Sequence, residues 1–159
     1  MAIPMAGGAM AELIGAYREA WARAGHAGTG TVMLAFHMLC HRDQDAAENL
    51  ARGPLERYLK SLVAAASDWT EGTTSADYPG YDTLIAGLAA ETFETQVAKC
   101  AAWVGTPARI LDMVADYHRQ IGDFEIASLQ VNFNDLPLDA AEASMRLFGE
   151  AVLPRLQRR

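Results

Sequence analysis

The ten residues TVMLAFHMLC, numbers 31–40, constrain the fold of this chain more than any other stretch. They are apolar almost throughout, with glycines before them and the polar residues His41-Arg42-Asp43 after them. A short apolar run between turn signals is typical of a strand buried on both faces, as in a parallel sheet. A buried helix is the alternative, and the flanking glycines and charges favour the strand.

Helical segments separate this strand from two more strand-like runs, AAWVG at 101–105 and FEIASLQVNF at 124–133. Helices are expected at about 10–24, 44–67, 81–99, from 107 onward and after 139. Strands that alternate with helices pair in parallel through right-handed crossovers. The sequence therefore predicts an α/β fold with about three parallel strands. A closed eight-stranded barrel needs about 250 residues, so the chain is expected to form part of an α/β barrel.

The apolar spacing also predicts which helix faces are buried. The first helix is expected to bury one stripe, made of Leu13, Tyr17, Trp21 and Ala24. The helix after 107 is expected to bury Ile110, Leu111, Val114, Tyr117 and Ile121. The last helix is expected to bury Met145, Phe148 and Val152.

Several residues mark helix ends. Thr106 is a good N-cap, Pro107 suits the first helical position, and Gly122 can end that helix. Asp139, with Glu142 three residues later, resembles a capping box for the last helix. Gly53-Pro54 is expected to kink or split the helix over 44–67.

Composition excludes several classes of partner. The 159 residues suffice for a single domain, 1–159, and carry a formal net charge of −7. This acidity argues against nucleic acid and against an anionic membrane as partners. No run approaches the roughly 18 apolar residues of a spanning helix, and the N-terminus lacks the features of a signal peptide. Cys40 and Cys100 form no CxxC pair, which favours a reducing, cytoplasmic location.

Three stretches in order resemble the C-terminal half of bacterial luciferase-like, flavin-dependent monooxygenases. They are AGHAGTGTVMLAFHMLCHRD, DYPGYDTLIAGLAAETFETQVAKCAAWVGTPARI and FEIASLQVNFNDLPLDAAEASMRLFGEAVLPRL. The most specific parts are WVGTP at 103–107 and the ending LQV, LP and MRLF at 129–131, 136–137 and 145–148. The resemblance covers nearly the whole chain from about Leu13 onward.

This resemblance implies a partial (β/α)₈ barrel, in which 31–40, 101–105 and 124–133 would be the sixth, seventh and eighth strands. It implies FMN or a deazaflavin as cofactor, and monooxygenation of a small organic substrate with reduced flavin and O₂. The first five strands, which supply most flavin contacts in the family, are absent. The chain is therefore expected to need a complementary N-terminal barrel half or to form a homo-oligomer. A non-catalytic half-barrel is the alternative, so whether this chain alone is an enzyme stays open.

Active sites of α/β barrels lie at the carboxyl ends of the strands, which directs attention first to His37. His37 and His41 alternate to one face of the strand, and if that face is the barrel interior, His37 is a candidate catalytic proton carrier. The alternative is a packed His37 bonded to one buried polar group, with a solvated His41. Residues four apart on a strand lie about 13 Å apart, so these two histidines cannot share a metal, and no metal site is predicted.

Two further places are candidates for cofactor binding. Gly105 and Thr106 precede a helix, whose N–H groups and dipole could hold a phosphate; the alternative is that Thr106 only caps the helix. Gln130, Asn132 and Asn134 have a period of two and share a face of the predicted strand. Their amides could bond a flavin edge or a substrate carbonyl, or the two asparagines could end the strand and bond their own backbone.

The polar loop 71–82 is a candidate active-site lid, because long loops are often functional. The aromatic side chains of Trp69, Tyr78 and Tyr81 could cover an apolar substrate. A solvated surface loop is the alternative. Cys40 and Cys100 have no neighbouring charges in sequence that would activate a thiolate, so both are interpreted as packing residues.

Overall fold

A computed structural model describes residues 7–70 and 80–157 of the chain. Most of the predicted lid, 71–79, lies outside the described residues. The side chains of Trp69, Tyr78 and Tyr81 lie outside them as well. The proposed role of this loop therefore stays a prediction.

Helices and strands alternate along the described residues much as the sequence predicts. The elements are α1 (Gly7–Arg23), β1 (Met33–Cys40), α2 (Gln44–Thr70), α3 (Tyr81–Ala89), α4 (Phe93–Ala98), β2 (Ala102–Gly105), α5 (Pro107–Ile121), β3 (Ile126–Gln130), α6 (Leu138–Ala151) and α7 (Leu153–Leu156). None of the described helices is both long and apolar enough to cross a membrane.

The three strands form one parallel sheet, which confirms the predicted α/β class. Their order is β2-β1-β3, so β1 lies in the centre. Successive strands of a barrel are neighbours, and the assignment of 101–105 as a seventh strand between 31–40 and 124–133 is therefore wrong. β2 and β3 pair with opposite edges of β1, so β2 does not lie between the other two strands. The pairing of β2 with β1 is short and involves only His37–Cys40.

One face of the sheet, here called the α5 face, packs against α1, α5 and α6. It carries Leu34, Phe36, Met38 and Cys40 from β1 and Trp103 from β2. The Phe36 ring stacks on Trp103 at a centroid distance of 4.1 Å and meets the edge of Tyr117 at 5.1 Å. Burial of each such ring contributes roughly 1.5–3 kcal/mol to stability.

The opposite face, here called the α2 face, packs mainly against α2. Its residues His37 and Leu39 alternate with the α5-face residues of β1, and Ala102 and Val104 pair with them from β2. Four buried side chains of α2 cover this face, namely Ala47, Ala51, Leu55 and Leu59. Because both faces are covered, β1 needs apolar side chains at nearly every position, which accounts for the unbroken run in the sequence.

The predicted buried stripe of α1 is wrong by one position. Met10 and Ile14 are buried, whereas Leu13 and Tyr17 are 56% and 37% exposed. The Tyr17 ring lies against Gly30, whose φ of +77° and lack of a side chain leave room for it. The contacts of α1 with α5 and with this glycine turn therefore decide which face of the helix is buried. The spacing of apolar residues within the helix does not contain this information.

Other helix predictions also need correction. Helix α2 runs unbroken through Pro54, because Ala51 and Leu55 hold it against the sheet, so the predicted split is wrong. The helix predicted at 81–99 is two helices, since Thr92 and Thr95 form a reciprocal capping box that starts α4.

The last helix begins differently from the prediction. Pro137 occupies the N-cap of α6, and the Asp139–Glu142 capping box does not form. Glu142 pairs with Arg146 instead, at 2.9 Å. The buried side chains are Ala141, Ser144, Phe148 and Val152, whereas Met145 is 43% exposed. Helix α5, by contrast, confirms the predicted cap, the Pro107 start and the whole buried stripe.

Candidate active site

His37 lies in the centre of the sheet and is only 5% exposed. Its ring meets the edges of Tyr58 at 4.4 Å and Phe133 at 5.1 Å. Its Nε2 atom is buried and has no hydrogen-bond partner among the described residues. Burial lowers the pKa of His37 from 6.5 to about 4. The imidazole is therefore neutral near pH 7, and its catalytic role stays a prediction.

His41 does not continue the strand with His37, because β1 ends at Cys40. Its Nδ1 accepts a hydrogen bond of 3.0 Å from the backbone N–H of Asp43. The Asp43 carboxylate in turn accepts a bond of 2.8 Å from the N–H of Ala46, in the first turn of α2. His41 therefore belongs to the start of α2 rather than to a pair of histidines on one strand face.

Gly105 and Thr106 lie where β2 passes into α5, at the carboxyl edge of the sheet. The Thr106 hydroxyl accepts a 3.3 Å bond from the N–H of Arg109, which confirms that Thr106 caps the helix. The backbone N–H of Thr106 donates to Gln44 Oε1 at 3.1 Å. Pro107 has no N–H to offer.

The turn offers few free donors to a flavin phosphate. Gln44, anchored by a 2.8 Å bond from its Nε2 to Glu48, already accepts the Thr106 N–H that a phosphate would use. Gly105 has a φ of +147°, and a Cβ there would collide with Gln44 Oε1. The glycine therefore makes room for a side chain of this chain. The sequence pattern did not indicate that Gln44 belongs to this turn, because it lies 62 residues from Thr106 in the chain.

Asn132 and Asn134 lie beyond the end of β3 at Gln130 and are both exposed. The prediction that they share a strand face with Gln130 is therefore wrong. Asn134 has a φ of +52°, a left-handed conformation that asparagine tolerates better than most residues. Phe133 and Leu136, which are buried, anchor the loop between them. The two amides face solvent and remain accessible to a ligand.

The loop that carries these asparagines is fastened to α2. Arg57 donates two hydrogen bonds to Asp135 Oδ1, from Nε at 3.0 Å and from Nη2 at 2.7 Å. Phe133 packs on His37, which in turn contacts Tyr58 of α2. Sequence reasoning missed Arg57 and Tyr58, since nothing in a helical pattern indicates which loop a surface arginine reaches.

The cysteines take no part in this site. Both are buried and free. Burial raises the pKa of the Cys40 thiol to about 11 and also raises that of Cys100. Neither is a thiolate near pH 7, so both act as packing residues, as the sequence predicts. Within 7–70 and 80–157, no group of three or more metal-ligating side chains comes together.

A cleft of about 700 Å³ lies away from these residues, on the α5 face beside β3. Its apolar lining includes Trp103, Phe124, Leu129, Phe148 and Leu156. His118 lies in its wall and stacks on Phe124 at 4.3 Å. None of the predicted site residues lines this cleft.

The structure is that of an α/β protein with one parallel sheet flanked by helices, and Thr106, Asn132 and Asn134 follow the carboxyl ends of its strands. The family model described as luciferase-like monooxygenase matches residues 2–123. The chain therefore belongs to the luciferase-like monooxygenase family. The match ends just before β3, so the third stretch quoted above lies outside it.

Among solved structures, the crystal structure of monooxygenase RslO1 from Streptomyces bottropensis matches with a TM-score of 0.65 at 22% sequence identity. The match covers 98% of this chain and 41% of that one, so this chain spans less than half the length of RslO1. At this identity the likeness shows the fold alone. A search of curated proteins finds no match.

Proposed function

We propose that this chain supplies the C-terminal half of a luciferase-like, flavin-dependent monooxygenase. The family match over residues 2–123 carries the proposal. In the completed barrel the reaction is the oxidation of a small organic substrate with O₂, and reduced FMN or a deazaflavin supplies the electrons.

We assign most of the flavin site to the part of the barrel outside this chain, as the family resemblance implies. At the Gly105–Thr106 turn, Gln44 accepts from the Thr106 N–H and the Thr106 hydroxyl accepts from the Arg109 N–H, which argues against a phosphate site there. Asn132 and Asn134 are exposed beyond β3 and remain free to bond a flavin edge or a substrate carbonyl. His37 contacts Phe133 of the same loop, and its lowered pKa keeps the imidazole neutral near pH 7. We propose it as a hydrogen-bonding group for the substrate.

Flavin binding by the reconstituted barrel tests this proposal. The chain is mixed with the part of RslO1 outside the structural match, and the purified complex is titrated with FMN by absorbance and fluorescence. We expect flavin binding by the complex and little by the chain alone. A complex that binds neither FMN nor a deazaflavin would remove the enzymatic proposal.

The two asparagines can be tested in the same complex. Asn134→Gly removes the amide but keeps the left-handed backbone conformation, and Asn132→Ala removes the other amide. Each lost hydrogen bond is expected to weaken flavin or substrate binding roughly fivefold to tenfold. Asp139→Ala, an exposed change further along the chain, is the matched control and should have no effect.

A non-catalytic half-barrel that assembles with a partner or with itself is the second candidate. The outer edge of β3, which has no strand partner in the described part of the chain, favours it. A flavin spectrum separates the two candidates, because the second predicts assembly without flavin. Two buried, free cysteines support a cytoplasmic location for either.

A further inference from the structure

The unpaired ring nitrogen of His37 is the feature that points to a ligand. His37 is 5% exposed, and its Nε2 has no hydrogen-bond partner in the part of the chain that the structure describes. Buried polar groups are nearly always hydrogen-bonded, so this atom calls for a partner from outside these residues. A neutral imidazole offers a donor or an acceptor at Nε2, according to its tautomer.

The helices of the chain define the direction in which His37 points. In a parallel barrel the helices form an outer ring, so the opposite face of the sheet is turned inward. Helices α1, α5 and α6 pack against the α5 face, whereas the His37 ring contacts Tyr58 of α2 on the other face. In the proposed barrel His37 therefore points inward, near the carboxyl end of β1, and α2 lies on the same inner side.

Two aromatic rings enclose His37 on that side, and they differ in burial. Tyr58 and Phe133 both meet the imidazole edge-on, at centroid distances of 4.4 and 5.1 Å. Phe133 is 2% exposed and belongs to the apolar cluster of the α2 face. Tyr58 is only half-buried, so its ring lies between His37 and solvent. Of the two walls, Tyr58 is the one with room to move.

We propose that Nε2 of His37 is a ligand site for a neutral hydroxyl or carbonyl group on a flat apolar body, and that Tyr58 is the movable wall of this site. A flat body fits the space against His37 that the Tyr58 ring fills, with Phe133 as the fixed wall. This inference rests on the proposed function, in which the substrate is a small organic molecule. It adds the class of the substrate and the residue that controls its access.

The surroundings of His37 favour a neutral group over a charged one. Burial lowers the pKa of His37 to about 4, which keeps the imidazole uncharged near pH 7. The nearby charged side chains, Arg57 and Asp135, already bind each other at 2.7 Å. A carboxylate or ammonium group at Nε2 would therefore be buried without a compensating charge, which is costly.

Nuclear magnetic resonance of the full chain with isotope-labelled histidine measures this site directly. Three probes of similar size are titrated: para-cresol, which carries a neutral hydroxyl, toluene, and the anion para-toluate. In Tyr58→Ala, para-cresol should shift the His37 Nε2 resonance and bind roughly fivefold to tenfold more tightly than toluene, because it makes one more hydrogen bond. Para-toluate should bind about tenfold or more weakly than para-cresol.

The parent chain should show the same order of affinities with weaker binding, since Tyr58 must first move aside. This measurement stands even if Tyr58→Ala does not fold. Tyr58→Phe keeps the ring and should behave like the parent. Adding His37→Leu to Tyr58→Ala should abolish the preference for para-cresol over toluene. Tyr17→Ala removes a tyrosine that is 37% exposed on α1, and its probe affinities should equal those of the parent.

The titrations use neither flavin nor a second chain, so their outcome is separate from that of the proposed function. Para-cresol binding at His37 without flavin binding by the reconstituted barrel supports the site and contradicts only the flavin chemistry. Flavin binding with a His37 resonance that no probe shifts contradicts the site alone. Equal affinities for para-cresol and toluene, or a parent chain whose His37 resonance para-cresol does not shift, would overturn the inference.

Discussion

The hydroxyl of Ser144 in α6 accepts a 2.7 Å hydrogen bond from the backbone N–H of Cys40 at the end of β1. The partners lie 104 residues apart, and Ser144 is 2% exposed. Strand β3 pairs with β1 only as far as His37, so the last N–H groups of β1 on that side need another acceptor. Helix α6 provides it and thereby closes the carboxyl end of the central strand.

Ser144→Ala should destabilise the protein by about 1–3 kcal/mol, because the Cys40 N–H would remain buried without a partner. Urea unfolding followed by circular dichroism measures the change. Ser61→Ala, which removes an exposed hydroxyl bonded within its own helix, is the control and should cost less than about 0.5 kcal/mol. Equal effects of the two changes would contradict the proposed closing role of Ser144.

His37 should make stability depend on pH. Its pKa is about 4 in the folded chain and 6.5 in its unperturbed state, so the unfolded chain binds the proton first as the pH falls. The stabilisation is complete above about pH 6.5 and is lost between there and about pH 4, amounting to roughly 3 kcal/mol. Unfolding free energies from pH 7 to pH 4 measure it.

A His37→Leu variant should flatten the pH dependence in this window, because its apolar side chain does not titrate. If His37→Leu showed the same fall in stability as the parent chain, the assignment of the effect to His37 would be wrong.

Gly105→Ala should destabilise the chain by about 1–3 kcal/mol, since the new Cβ meets Gln44 Oε1 and the φ of +147° suits glycine. Combining it with Gln44→Ala should recover part of the loss, because the collision is then relieved. Gly149→Ala is the matched control: it lies on an exposed face of α6 with open space around it, and should stabilise by up to about 1 kcal/mol. Strict additivity of the Gly105 and Gln44 changes would refute the contact.

Tyr117→Phe should leave stability unchanged or raise it by about 1 kcal/mol. The Tyr117 hydroxyl is buried without a hydrogen-bond partner in the described residues, and burial raises its pKa to about 12. Trp103→Phe is the contrasting change, because the Trp103 indole N–H donates to Cys100 O at 3.1 Å and its loss should destabilise. Thermal unfolding distinguishes the two, and a clear loss of stability in Tyr117→Phe would indicate an unrecognised partner.

Predictions from sequence succeeded where a pattern is local. The three parallel strands and the complete description of α5 followed from apolar runs, from the period of the helix and from Thr106, Pro107 and Gly122. They failed for the buried faces of α1 and α6, where Met10, Ile14 and Ser144 are buried instead of Leu13, Tyr17 and Met145. A helix with several apolar positions can present more than one face, and only its neighbours select between them.

For the candidate site, too, the sequence indicated some of the residues but not their contacts. The sequence indicated His37, Thr106, Asn132 and Asn134 as residues near the carboxyl ends of strands. It could not indicate that Tyr58 and Phe133 enclose His37, or that Gln44 fills the space at Gly105. These contacts join residues far apart in the chain, and no local spacing encodes them.

The sequence by itself determined that this chain forms a parallel α/β sheet, because burial on both faces requires apolar side chains at nearly every position of β1. Its resemblance to luciferase-like monooxygenases rests separately on three stretches of sequence in order. Only the tertiary structure decided the strand order and the neighbours of His37. Strand order depends on which edge of β1 each crossover reaches, and that is fixed by the packing of α2 and α5 on opposite faces of the sheet.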